Sequence, residues 1–258
     1  MKMMPVVALP ILAMISGACA GESEIQSAAL PEIHQIEADA GMGTLHDATG
    51  ADAFGNMLDH PDSRYYTVND YYNMKSGGGL HILTHYETYQ QTTEYSCGCA
   101  AALMVLHHYG VNDYNEMQIC ERAGADPSKG TSVEGLASFF EELGFRVDDH
   151  AAVEPRFAGI GDCEAYLIRA IDGGAPVMVD WVDWFGHWQT IIGIDTCDTA
   201  SPYDDVLIMA DSYDVTDHYQ DGYYVVPFGR FYAMWREGPC AEKEVPYEQP
   251  FITVYSGE

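Results

Sequence analysis

The sequence predicts an α+β fold in which helices pack at one side of an antiparallel sheet. Three observations carry that expectation. Helix-forming segments come first, between about 97 and 172; short apolar runs of strand character follow, between about 175 and 228; and Gly, Asp and Pro turns join those runs. Helices first and strands after is the α+β order. No internal repeat is present.

In chain order, residues 1–20 read as a secretory signal: one Lys, an apolar run from Met3 to Ile15, then small residues. Cleavage after Ala20 and lipidation at Cys19, within a stretch that resembles a bacterial lipoprotein box, are both open. Either places the mature protein outside the cytoplasm, secreted or lipid-anchored, with the Cys19 lipid as its one membrane attachment. Residues 21–64 are rich in Ala, Gly, Glu and Asp without a sustained period and read as a flexible extension or tether. "LHILTHYETYQ" at 80–90 has strand composition. Residues 97–109 switch to helix formers and close at Gly110. "NDYNEMQICERAGA" is a second helix. "TSVEGLASFFEELGF" is the clearest, with Thr131 or Ser132 as N-cap and Gly144 as its stop, and "DCEAYLIRAIDGG" is a fourth. "APVMVDWV", "HWQTIIGID", "DVLIMAD" and "GYYVVPF" are the strands.

Eleven basic against forty acidic residues give a net charge of −29. Such a surface repels phosphate backbones and anionic lipid, so nucleic acid is excluded as a partner. Without Cys19, six cysteines remain, and an oxidising compartment favours pairing; Cys197–Cys240 is the first pair expected. The acidic stretch around Asp217 lacks the alternating ligands and closing Glu of an EF-hand loop.

The chemistry concentrates at "QTTEYSCGCAAALMVLHHYG", residues 91–110. Cys97, Cys99, His107 and His108 look like four zinc ligands, but a helix separates Cys97 from His107 by roughly 15 Å, and zinc needs every donor within about 2.3 Å. No metal or cofactor is expected. A thiol at a helix N-terminus is instead set up as a nucleophile, because the unsatisfied N–H groups favour thiolate. Cys97 holds that place, and Cys99 points about 200° away around the helix.

Here the residues resemble a family. Gln91 six positions before Cys97-Gly98, the small residues Ala100–Ala102, "GTSVEGLASFFEELGF" at 130–145, "GAPVMVDWV" at 174–182, "GHWQTIIGID" at 186–195 and "DVLIMAD" at 205–211 are similar to the bacteriocin-processing, double-glycine cysteine peptidases of the papain superfamily and their secreted relatives. The resemblance spans about residues 80–230. It implies a papain-like peptidase domain, taken as 65–258, acting on a peptide or protein substrate. The chain departs from the pattern at Ser96, where Asp is common, and at Cys99. No transmembrane segments or P-loop follow, so double-glycine specificity is not carried over.

A cysteine hydrolase also needs a base, a group that orients it, and oxyanion donors. Position excludes nine of the ten histidines: His34, His46 and His60 in the extension, His81 and His85 before the nucleophile, His107 and His108 far along the helix, His150 and His218 in charged loops. His187 remains, following Gly186 at the mouth of a strand. Asp211 ends the neighbouring strand and orients it, with Asp195 and Asp214 as alternatives. Gln91 and the Cys97 N–H form the oxyanion hole, with Gln90 distinguished from Gln91 only by spacing. Trp181, Trp184, Phe185 and Trp188 either wall the cleft or belong to the core. An amidase or acyl transferase with the same triad, and a non-catalytic binding module marked by a bridge from Cys97 to Cys99 or Cys120, are the other readings. Oligomeric state stays open.

Overall fold

A computed structural model describes residues 30–37, 50–51, 65, 67–214, 219–238 and 245–257. The chain divides into two units, Met1–Leu30 and Pro31–Glu258. All of the first except Leu30 lies outside the described residues, as does the signal reading with Cys19.

Helix α1 (Cys97–His108) is buried along its length from Cys97 to Leu106. Its apolar residues go all the way round, and a helix of that kind belongs in a core. Around it stand α2 (Glu116–Ala123) and α3 (Val133–Glu142). Asn115 and Gln118 make a reciprocal capping box at the start of α2, and Ser132 caps α3 by accepting from the Gly135 N–H. The Ser132 cap resolves the choice between Thr131 and Ser132.

The sheet has seven strands: β1 (Leu80–Ile82), β2 (Arg146–Ala152), β3 (Val177–Trp181), β4 (His187–Asp195), β5 (Val206–Ala210), β6 (Tyr223–Pro227) and β7 (Glu248–Tyr255). Their order is β2-β7-β3-β4-β5-β6, with β1 paired to the far end of β4. Every pairing is antiparallel. Alternate residues serve two cores. Met178, Ile208, Ala210, Ile252 and Val254 face the α1–α3 cluster. Val177, Val179, Leu207, Met209 and Phe251 face α4 (Ile160–Asp172) and α5 (Phe228–Met234). Helices therefore cover both faces, where one side was expected. The reason is visible in the strands: runs such as "VMV" and "VLIMA" are apolar on both sides and need two covers.

The "LHILTHYETYQ" run is a strand only over its first three residues. His85 adopts a left-handed φ of 61°, which breaks the extended run, and Thr88 further on bridges in parallel with Gln35. The 31–37 segment lies along it: Ile36 N–H donates to Thr88 O at 2.7 Å, and His34 stacks on Tyr72. Two strands went unread in the sequence. β2 carries Asp148, Asp149 and His150 and is half-exposed; β7 is buried between β2 and β3.

Candidate active site

Antiparallel neighbours set the beginning of one strand beside the end of the next. β4 begins at His187, and Asp211 follows Ala210, the last residue of β5, which pairs with Thr190. The two side chains meet there: His187 Nε2 lies 2.6 Å from Asp211 Oδ1, with both residues buried. Asp211 Oδ1 also accepts from the Tyr213 N–H at 2.8 Å, which fixes the carboxylate. The alternatives go elsewhere. Asp195 accepts from the Cys197 N–H, and Asp214 from the Gly222 N–H.

Cys97 lies close enough to His187 to act on its charge, and with Nε2 engaged by Asp211, Nδ1 is the ring nitrogen left to serve the thiol. Burial alone would depress the imidazolium, but the Asp211 charge, its hydrogen bond and Cys97 together hold the His187 pKa well above the ordinary value. A cation beside the thiol is the partner that a thiolate requires. Asp183, on the turn before β4, is a second carboxylate that feels the His187 charge; burial raises its pKa, and His187 partly offsets this. Nothing in the sequence reading singled it out.

Cys97 is the first residue of α1, 8 % exposed. Ser96 provides no side-chain cap, and the first α1 amide with a helical acceptor is Ala100, bonded to Ser96 O. The N–H groups before it are the ones a helix leaves unpaired. Gly98 permits the close packing of this end: a Cβ there would lie 3.0 Å from Trp188 Cδ1 and 3.1 Å from Leu136 Cδ1. Cys97 is a free thiol, not bridged to Cys99 or Cys120. Cys99 is fully buried, near Thr131 Oγ1 at 3.5 Å, and Cys120 has its pKa driven up by Cys99 and by burial. All five cysteines among the described residues are thiols; Cys240, the expected partner of Cys197, lies outside them, as do Asp217 and His218.

Gln91 is 1 % exposed and tied on three sides. Its N–H donates to Ser212 O at 2.8 Å, its Oε1 accepts from Ser212 Oγ at 2.8 Å, and its Nε2 donates to Thr93 O at 2.8 Å. One amide hydrogen of Nε2 is left over. Ser212 directly follows Asp211, so the same strand end anchors the base's carboxylate and the neutral amide. Gln90 is half-buried and outside this network.

The histidines set aside on position are occupied otherwise. His81 meets Asp172 at 2.7 Å, His107 meets Glu87 at 3.6 Å, and His108 meets Gly174 O at 3.0 Å. α1 separates the latter two from Cys97 by its whole length. The aromatic cluster divides. Trp181 and Trp188 are core, both 3 % exposed, whereas Trp184 and Phe185 are exposed and sit in left-handed backbone, φ 48° and 71°. Trp184 packs 5.7 Å from the Tyr213 ring, which stands edge-on to His187.

An open groove of about 520 Å³ reaches Cys97, between Gly186 and Trp188 on one side and the 126–134 loop on the other. Its charged lining is Glu94, Asp126, Glu134, Asp180 and Glu237 against Lys129.

A thiol at a buried helix start, with an imidazole and a carboxylate from adjoining strand ends, is the arrangement of a papain-like cysteine peptidase. Residues 85–173 match the model of the Peptidase C39 family, 89 of the 258 residues. That match bears out the resemblance read from the motifs and supports a cysteine peptidase, a hydrolase. The matched stretch contains Gln91 and Cys97 and ends before His187 and Asp211. No curated protein matches the chain. Among the solved structures similar to it are the following two. The peptidase domain of Streptococcus ComA, a bi-functional ABC transporter involved in a quorum sensing pathway, is 17% identical over 67% of this chain and 100% of that one, with a TM-score of 0.44. A double glycine motif protease from an AMS/PCAT transporter, in complex with the leader peptide, is 12% identical over 66% of this chain and 91% of that one, with a TM-score of 0.43.

Proposed function

We propose that the protein is an extracytoplasmic cysteine peptidase, secreted or lipid-anchored, that cleaves peptide amide bonds through a thioacyl-enzyme intermediate. The observation that carries this reading is His187, buried and bonded to Asp211 at 2.6 Å, with the Cys97 thiol near enough to help hold its charge. The N-terminal sequence supports the location.

Cys97 Sγ attacks the scissile carbonyl carbon as thiolate, and the carbonyl electrons move onto oxygen. The Cys97 N–H and the spare Gln91 Nε2 hydrogen stabilise that oxyanion. Collapse breaks the C–N bond, and the imidazolium gives its proton to the leaving amine. Water then gives a proton back to His187 and attacks the thioester, releasing a carboxylic acid and restoring the thiolate. Asp211 keeps Nδ1 aimed at sulfur throughout and stabilises the imidazolium.

The test is stoichiometric alkylation by iodoacetamide near pH 7, located by mass spectrometry, alongside hydrolysis of a mixed peptide library. The expected result is labelling at Cys97 faster than at the exposed Cys197 thiol, and loss of hydrolysis and of the fast label in Cys97→Ala. Full hydrolysis by that variant would end the reading. Products carrying an added amine in place of a free carboxylate would make the enzyme a transferase.

A further inference from the structure

The geometry points to Glu116 as a positioning residue for the oxyanion hole, an assignment that rests on the peptidase reading above. Glu116 opens α2, a place where a glutamate ordinarily meets water, yet it is 0 % exposed. Its two oxygens accept from the Thr92 N–H at 3.1 and 3.2 Å. Oε2 also accepts from the Thr92 hydroxyl at 2.7 Å and the Tyr89 hydroxyl at 3.0 Å. Ser96 also draws the Glu116 pKa down.

These partners are not scattered. Tyr89 stands two residues before Gln91, Thr92 directly after it, and Ser96 directly before Cys97. The two proposed oxyanion donors sit on different pieces of backbone, a loop for Gln91 and a helix for Cys97. Their separation is set by residues 92–96. Within that span Thr93 Oγ1 donates to Ser96 Oγ at 2.7 Å, and Ser96 Oγ donates to Thr93 O at 3.2 Å. Ser212 holds Gln91 from the sheet, and Glu116 holds the next residue from α2. The spacing of the two donors is thus clamped between elements that do not themselves touch the substrate.

Burying a carboxylate is costly, and burial does raise the Glu116 pKa against the pull of Ser96 and of the Thr92 and Tyr89 bonds. An apolar side chain would avoid that cost. Only a group with several acceptor sites at one point can gather a backbone N–H and two hydroxyls from one short loop. Gln keeps one acceptor oxygen and turns an NH₂ toward donors, so it should do part of the work.

The experiment compares Glu116→Gln, Glu116→Ala and Thr92→Val with the wild-type full chain in three measurements: kcat on a peptide substrate, inhibition by the corresponding peptide aldehyde, and the rate of Cys97 alkylation by iodoacetamide. The aldehyde forms a hemithioacetal whose oxygen needs the oxyanion hole; alkylation does not. Expected are a fall in kcat of roughly 10- to 100-fold for Ala, a smaller fall for Gln and for Thr92→Val, a parallel weakening of aldehyde inhibition, and alkylation within about twofold of wild type. Should Glu116→Ala fail to fold, Gln and Thr92→Val carry the same comparison. Unchanged kcat, or alkylation falling in step with it, overturns the assignment and leaves the peptidase reading standing. A wild-type protein whose Cys97 neither alkylates nor turns over substrate overturns both.

Discussion

Replacing Asp211 with Asn leaves nearly the same shape and removes one buried charge. The His187–Asp211 contact is 2.6 Å with no solvent at the carboxylate. Charge centres about 4 Å apart, at an effective dielectric of about 20, attract by about 4 kcal/mol. Asn still accepts the Nε2 hydrogen, so about 2–3 kcal/mol of imidazolium stabilisation should go, roughly a 30- to 160-fold smaller population of the thiolate–imidazolium pair. The assay is the second-order rate of iodoacetamide reaction with Cys97 across pH. Asp211 helps raise the His187 pKa, so the ion pair is weaker in Asp211→Asn and the limb on which reactivity rises with pH should move to higher pH. Stability follows the same sign. A His pKa raised on folding stabilises fully below its unfolded value of about 6.5 and ceases to do so as pH rises through the folded value. The Tm difference between wild type and variant should therefore be largest near pH 6 and shrink in alkali. Equal alkylation rates and coincident pH profiles would refute the role given to Asp211.

Three other outcomes are expected. Gly50 is buried against the oxyanion loop, where a Cβ would come within 2.5 Å of Thr92 C and Thr93 N; Gly50→Ala should lower kcat, measured on a peptide substrate, while sparing Cys97 alkylation. Trp184 occupies left-handed backbone with its ring exposed, so Trp184→Gly should relieve about 1 kcal/mol of strain and raise Tm by about 2–4 °C in a scanning experiment. The groove around Cys97 carries five carboxylates against one lysine. Accordingly kcat/KM for cationic peptides should exceed that for anionic ones of equal length, and the gap should narrow as salt is raised.

Much of the site could be read from the chain because its signals are local. A cysteine opening an apolar helix, a histidine opening a strand and an aspartate closing another are each visible in ten residues, and the helices α2 and α3 announce themselves by their caps. What escaped reading depends on the assembled molecule. Glu116 in "YNEMQIC" has the pattern of a solvated helix start; only the packing of α2 against the 89–96 loop buries it. The four aromatics around His187 are alike in sequence, and the pleat of β3 and β4 puts Trp181 and Trp188 inside while the left-handed turn throws Trp184 and Phe185 out. The break at His85 is equally silent, since β-branched and aromatic composition says nothing of a single residue with positive φ. β2 was hidden by its charged residues, and the apolar runs did not reveal that two separate sets of helices would share one sheet.

The position of β7 has a consequence for the order in which the molecule comes together. Among the described strands β2 pairs only with β7, and β7 also forms one side of β3. Until residues 248–255 are in place, β2 has no neighbour and β3 shows a bare edge beside the strand that begins with His187. The described sheet is therefore completed by β7, the last of its strands in chain order, placed between β2 and β3. A chain cut short before Glu248 would keep the nucleophile, base and carboxylate in its sequence without the framework that aligns them.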